Sequence, residues 1–418
     1  MEAYATALSY AIPGFVVLII IEQIAARMMG KHINRGMDVI SSLSSGMTNT
    51  LTSLLGLSVV IVSYQWMEAR LGIFDIQSSV LLYVLAFIGI DFAGYWSHRF
   101  NHSVNLFWNR HVVHHSSEEF NLSCALRQEI SAIVGIYFFL YIPLAILGVP
   151  PKIIAVVAPL HLFAQFWYHT RLIGHMGFLE HIIVTPSHHR VHHAINEIYL
   201  DKNLSQVFIV WDKLFGTFQQ ELSEEPPIYG TLTPANTWNP IIINWMHAWK
   251  LCKDAWHAHS WWDKLRIWFM PLGWRPDDVK VEYPIELPGV YDRIKYEPYA
   301  SAFLKSWSWF QFVIANLMVY HLLISFGSLS ATQVAWYAGF LFVTIFSFTT
   351  LMDRRTLAIP IELVRLTLGI GIILQSGTWF GIESYLAGAT TVMIVYLVAS
   401  MLLTLYFTLV DEAPQAAV

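Results

Sequence analysis

Charge is scarce in this chain. Only 13% of its 418 residues are Asp, Glu, Lys or Arg, against about a quarter in an average soluble domain. That shortage excludes a molecule solvated on all sides. With 56% hydrophobic residues and a mean hydropathy of +0.50, it predicts a polytopic membrane protein. Cysteine is rarer still. Cys124 and Cys252 stand alone, which excludes a disulfide framework and a zinc ribbon. No basic tract occurs and the net charge is −5, so nucleic acid is not an expected partner. Repeats of fixed period and low-complexity tracts are also absent. The first apolar stretch, Ala3 to Ile24, has no basic residues before it and no clear small-residue cleavage site. It reads as a retained membrane helix rather than a signal peptide.

What the chain has in quantity is apolar sequence in long runs. One set covers about 3–25, 39–67, 78–97, 130–148 and 151–168, and a second about 303–327, 331–352, 357–380 and 385–410. A span needs about twenty mostly apolar residues, so the shorter or interrupted runs suit hairpins that enter and return. Basic residues follow alternate segments: Arg27, Lys31 and Arg35, then Arg99 and Arg110, then Arg171, then Arg354 and Arg355. If each segment crosses, these clusters share one face, and the positive-inside rule makes that face cytoplasmic. Between the two sets lies a polar, tryptophan-rich stretch. Trp256, Trp261, Trp262, Trp268 and Trp274 mix there with Lys264 and Arg266, a composition that favours the headgroup layer.

Histidine is in excess. The chain has 18, of which 13 fall between His98 and His193. Three clusters stand out: His98-Arg-Phe-Asn-His102, His111-Val-Val-His114-His115 and His189-Arg-Val-His192-His193. Residues three or four apart share a helix face, so each cluster can aim its imidazoles at one point. Eight nitrogens exceed what one tetrahedral metal takes and suit two metals, each with an open position. An open dinuclear iron site can activate dioxygen, although imidazole alone does not distinguish iron, copper and zinc. All three boxes fall on the face read as cytoplasmic, as one shared site requires.

Longer stretches carry a resemblance. They are Asp91-Phe-Ala-Gly-Tyr-Trp-Ser-His98-Arg, the run from His111 to Gln128, Gln165-Phe-Trp-Tyr-His-Thr170, Thr185-Pro-Ser-His-His-Arg-Val-His-His193, Asp201-Lys-Asn, and Trp211-Asp-Lys-Leu-Phe-Gly-Thr-Phe218. Together they resemble the fatty acid hydroxylase and sterol desaturase superfamily, and within it the alkylglycerol monooxygenases, which cleave ether lipids. The resemblance implies an iron pair, dioxygen as oxidant and a lipid substrate. It implies metal ligands at the eight box histidines and at His169, and it brings in His188 as a ligand or a supporting donor. It also implies an electron donor, tetrahydrobiopterin or a redox protein. One position departs. The animal enzymes resemble HxxxHE at the first box, and Ser103 stands here where they carry glutamate.

The expected fold is therefore all-α: a polytopic membrane bundle with a cytoplasmic histidine-rich cap for two metals. Residues 1–77 would form N-terminal membrane helices, 78–300 the catalytic region and 301–418 C-terminal membrane helices, with homo-oligomer contacts left open. The membrane would be a bacterial inner membrane or the endoplasmic reticulum. Alternatives from the residues are a sterol or fatty acyl hydroxylase or desaturase, and a histidine-rich metal transporter. A transporter should place its ligands near the membrane midplane.

Further polar residues invite a role. Asp91 is an acid within an apolar run, two turns before His98, and reads either as a hydrogen-bond partner of a ligating histidine or as half of a salt bridge. Glu118, three residues past His115, reads as a similar acceptor or as a solvated acid. His161, His175 and His181 read as structural, and His247, His257 and His259 as interfacial. Glu362 and Arg365, three apart in a later segment, should neutralise each other.

Overall fold

The computed structural model describes residues 2–411. Met1 and residues 412–418, the extremes of the expected N- and C-terminal regions, lie outside the described residues. The principal helices are α1 (Glu2–Met28), α2 (Gly36–Leu54), α3 (Val80–Ser103), α4 (Val112–His115), α5 (Pro151–Phe163), α6 (Pro186–His192), α7 (Pro240–His257), α8 (Trp261–Arg266), α9 (Ala302–Ser325), α10 (Ala331–Met352), α11 (Ala358–Ser376) and α12 (Ala389–Leu409). Among the described residues there is no β-strand, only isolated bridges such as Val59 with Val134. The expected all-α class is what the chain adopts.

Among the described residues six helices are long and apolar enough to cross a membrane: α1, α3 and α9 to α12. The chain is a multi-pass integral membrane protein. Their starts are written in the sequence. Ser79 accepts from the Leu82 N–H at the head of α3, Ser301 from Leu304 at α9, and Ser330 with Gln333 forms a capping box at α10. The run expected at 39–67 behaves differently. Its helix, α2, ends at Leu54 and buries Asp38 with several serines and threonines. Such a face needs protein partners rather than lipid, and it packs against α9 and α10. The runs at 130–148 and 151–168 give short helices, with Pro143 and Pro151 in their first turns and Pro150 between them.

Helices α9 to α12 form an antiparallel quartet around Tyr337, Phe340, Trp379 and Leu397. Gly369 lets α11 approach its neighbours, since a Cβ there would lie 2.6 Å from Leu397 Cδ1 and 3.0 Å from Phe340 Cε2. A polar knot joins all four helices. Arg365 donates to Glu362 at 2.5 Å and to the Tyr396 hydroxyl at 3.0 Å. Ser347 donates to Glu362 at 2.6 Å, and Gln311 donates to Ser400 at 2.5 Å. One end of the quartet meets the catalytic region. There Asp353 accepts from the Trp238 N–H at 2.7 Å, Arg354 pairs with Asp411 at 3.0 Å, and Arg35 reaches the Tyr296 carbonyl at 3.0 Å.

The knot predicts an asymmetric response. Removing one charge strands the other in an apolar interior, at a cost of about 3–5 kcal/mol. Arg365→Leu should lower the unfolding midpoint in detergent sharply, and Arg365→Leu with Glu362→Gln should recover most of the loss. Equal midpoints for the single and double variants would contradict this account.

Candidate metal centre

The last turns of α3 carry His98 and His102 one turn apart. His111 precedes α4, which carries His114 and His115, and α6 carries His189 and His192 with His193 at its end. These elements converge. His98, His102, His111, His115 and His192 form one group, and His114, His169, His189 and His193 a second, with the candidate ligand atoms of each group within 4.8 Å of one another. The division follows helix geometry. Each HxxHH box gives its i, i+4 pair to one group and its i+3 histidine to the other, because those positions diverge around the axis. His115 and His193, from different groups, stack with ring centroids 4.4 Å apart, so the two groups are contiguous.

Hydrogen bonds on the outer ring nitrogens set the tautomers. The Nδ1 of His98 lies 2.7 Å from the Leu204 carbonyl and that of His192 3.0 Å from the Lys202 carbonyl. The Nδ1 of His169 lies 3.0 Å from the Gln165 carbonyl, and that of His102 3.0 Å from an Asp201 carboxylate oxygen. Each acceptor claims an N–H, which leaves the Nε2 lone pair facing inward. Inside, His98 and His111 bring their Nε2 atoms to 2.8 Å, and so do His169 and His189. The Nε2 atoms of His102, His115 and His192 are buried with no partner at all. So many inward lone pairs without donors are costly unless a cation sits among them. The donor set fits a bound metal in each group.

Burial keeps the imidazoles outside the spanning helix neutral. His111, His114, His115, His189, His192 and His193 are held well below the usual histidine pKa, first by desolvation and then by neighbouring imidazoles. Desolvation lowers His169 to about 3. Aromatic walls supply the dryness. Phe120 and Tyr168 stack on His169, with centroids 5.8 Å and 5.0 Å away, and Trp108 faces His102 at 5.0 Å.

Other candidate residues lie elsewhere. Asp91 accepts from His161 at 2.7 Å, from the Val207 and Phe208 N–H groups at 2.9 and 3.0 Å, and from the Trp211 indole at 2.8 Å. Seven residues of helix separate it from His98 by about 10 Å, beyond a carboxylate's reach. It fixes α5 and the 207–211 segment instead. Glu118 accepts from Arg35 at 3.2 Å and from the Tyr296 N–H at 2.7 Å. The chain leaves helical geometry after His115, so the one-turn spacing no longer aims Glu118 back at the site. His188 stands outside both groups. Its Nδ1 accepts from the Thr185 N–H at 3.3 Å and helps to cap α6. His161 takes the structural place read for it, and His247 bonds the Asn105 carbonyl at 2.8 Å.

Two aspartates escaped the sequence reading although they lie in its quoted motifs. Asp201, in a left-handed conformation at φ 56°, meets His102. Asp212 accepts from the Leu204 and Ser205 N–H groups at 2.7 and 2.9 Å and from Thr217 at 2.6 Å. It thus shapes the loop whose carbonyls orient His98 and His192. Glu22 was also missed. From α1 it accepts from Thr170 at 2.6 Å and from the Leu122 N–H at 2.9 Å, beside His169 and Phe120.

A profile for the fatty acid hydroxylase family matches residues 83–217, which hold all nine histidines. Alkylglycerol monooxygenase of Homo sapiens is 35% identical over 358 residues, 85% of this chain and 80% of that protein. The chain belongs to that family. The Danio rerio alkylglycerol monooxygenase is 34% identical over 86% of the chain, and that of Xenopus tropicalis 32% over 84%. No solved structure matches the chain. Family membership makes the protein a monooxygenase, and the likeness extends well beyond the histidine boxes into its membrane helices.

Two outcomes follow from the geometry. The folded chain holds His111, His114, His115, His169, His189, His192 and His193 below the about 6.5 of an unfolded histidine. Their contribution to stability is therefore whole above about pH 6.5 and shrinks below it, as the unfolded chain takes up protons that the folded chain refuses. The thermal midpoint of metal-free protein should fall from about pH 6.5 downward, and a midpoint constant to about pH 5 would count against neutral, buried imidazoles. Asp201→Gly, which tolerates the left-handed backbone there, should weaken metal binding by about 10–100-fold with little change in the metal-free midpoint, because Asp201 is 59% exposed. Metal titration and calorimetry distinguish the two effects.

Proposed function

We propose that the chain is a di-iron monooxygenase that hydroxylates an ether-linked alkyl chain of a lipid at the carbon beside the ether oxygen. The observation that carries this is the pair of contiguous histidine groups with inward lone pairs at the end of a membrane-spanning helix. His98, His102, His111, His115 and His192 would hold one iron, and His114, His169, His189 and His193 the other. The bound metals supply the reductive activation of dioxygen.

The rest is the chain's own work. Asp201, Lys202 and Leu204 keep the imidazoles in the ligating tautomer. Phe120, Tyr168 and Trp108 exclude water from the oxidant. The apolar helices keep the alkyl chain in its own solvent while one carbon is brought to the histidines. The reaction consumes the lipid, O2, two electrons and two protons, and yields water and a hemiacetal. The hemiacetal C–O bond then breaks, giving a fatty aldehyde and a glycerol alcohol.

Tetrahydrobiopterin is the donor implied by the resemblance of the sequence motifs, with Ser103 as the position that sets this chain apart. We place the histidine face in the cytoplasm, on the strength of Arg35, Arg354 and Arg355 gathering at the same end of the bundle. Product analysis with labelled alkylglycerol, sterol and fatty acid, with and without tetrahydrobiopterin, tests the reading. Aldehyde should come from the ether lipid alone, from protein carrying about two irons per chain. Turnover of sterol or fatty acid with none of the ether lipid would overturn the substrate, and full turnover without pterin would remove that donor. A zinc-loaded protein that moves metal across vesicles would replace the enzyme reading altogether.

A further inference from the structure

The tryptophan-rich stretch takes no part in the metal centre, yet it forms an outward apolar face. On α7, Trp245, Trp249, Cys252 and Trp256 recur at intervals of four, three and four residues, which places them on one side of the helix. They point away from the protein, with Trp249 65% and Trp256 81% exposed. On α8, Trp261 and Trp262 are 78% and 65% exposed, and Phe269 follows at 67%. Trp268 and Trp274 turn partly inward, and Arg266 lies over the Trp274 ring at 4.8 Å. Neither α7 nor α8 is among the helices long and apolar enough to span. An apolar patch of this size on a non-spanning element marks an interaction surface.

Two observations say what covers it. The first is depth. Backbone bonds tie the hairpin to the end of α3: Leu272 N–H to the Ser103 carbonyl at 2.9 Å, Asn105 N–H to Met270 at 3.0 Å, and Leu106 N–H to Trp268 at 2.9 Å. The His247 ring adds a bond to the Asn105 carbonyl at 2.8 Å. The face is thus held where a spanning helix ends, at the boundary of the hydrocarbon. The second is chemistry. Indoles dominate, and lysines border them. Lys253 is exposed between Trp249 and Trp256, and the Lys264 ammonium lies 5.6 Å from the Trp261 ring. Indole and ammonium together suit the phosphate and glycerol layer rather than the hydrocarbon core or bulk water.

We infer that α7 and α8 lie in the plane of the membrane with this face sunk into the phospholipid headgroup layer, an in-plane anchor that presses the histidine groups against the bilayer surface. The anchor is fixed on the same residues, 103 to 106, that leave the first histidine box. A lipid approaching the site therefore meets a floor of indoles without leaving the membrane.

Cys252 is a built-in reporter, being exposed on this face while the other thiol, Cys124, is buried. Full-length protein in phosphatidylcholine vesicles is labelled with a small membrane-permeant bimane, with Cys252→Ser as the control that should take up no label. Lipids carrying a spin label near the headgroup should remove most of the bimane emission, and aqueous iodide should quench severalfold less than in the detergent-unfolded chain. Free quenching by iodide without quenching by the lipid would place the face in water and overturn the anchor. Protection from both quenchers, or refusal of the label, would mean that protein covers the face, whether a second copy or another partner, and would overturn it equally.

Discussion

The structure depends on where nine imidazole rings put their protons. A neutral imidazole carries one N–H and one lone pair. A metal site of this kind exists only if the N–H faces outward in every ligand. For His98, His102, His169 and His192 the outward acceptors are three main-chain carbonyls and one Asp201 oxygen, set mostly by the fold rather than by mobile side chains. The segment from Asp201 to Leu204 serves three histidines of one group, and the turn from Gln165 to Phe166 serves His169 of the other. Asp212, two buried N–H groups and Thr217 hold the first segment in shape. Ligand orientation is thus inherited from backbone geometry, and pre-organisation of this sort reduces the entropy lost when metal binds.

That geometry is braced from the membrane helices. Asp38 on α2 pairs with Arg127 at 2.8 Å, and Arg127 also donates to Ser42 at 2.9 Å and to Ser116 at 2.7 Å. Ser116 follows His115 directly. The acids after the second box continue the brace. Glu118 meets Arg35, and Glu119 meets Arg171 at 2.6 Å. Glu22 on α1 reaches the two loops that flank His169. Charges in these positions would be a liability without their partners. Paired as they are, they transmit the position of α1, α2 and the C-terminal quartet to the ligands. The C-terminal quartet packs on α2 and so backs this brace.

How much of this could be read from the sequence differs by kind of signal. The boxes were legible because spacing on a helix is a local property, and three, four and seven residues mean the same thing wherever the helix sits. The four C-terminal spans were legible because each is a long apolar run with a capping residue or a loop between it and the next. His169 has no spacing partner and came only through resemblance. For Asp91 and Glu118 sequence spacing gives direction but not reach. Asp91 is on the right face but two turns away, and Glu118 lies past the end of its helix. Asp201 and Asp212 lie inside the quoted motifs without a legible role, because Asp201 meets a histidine 99 residues away and the bonds of Asp212 depend on a loop closing on itself around the left-handed Asp201 and Asn203. The segment at 39–67 looked like a span by apolar content, but its buried Asp38, serines and threonines demand protein contacts.

The arrangement also explains how a hydrocarbon and a polar metal cage can share one site. The helix that carries His98 and His102 is long and apolar enough to span, and its last turns face the imidazoles. Asp91 lies two turns before His98. By taking four donors, from α5, the 207–211 segment and Trp211, it satisfies the polar groups that cross beside the helix there. No water is needed at that level. A dry boundary is what an oxidant aimed at an unactivated carbon requires, since water or loose protons would divert it. Asp91 touches no ligand, and its part is to lock α5 and the 207–211 segment against α3.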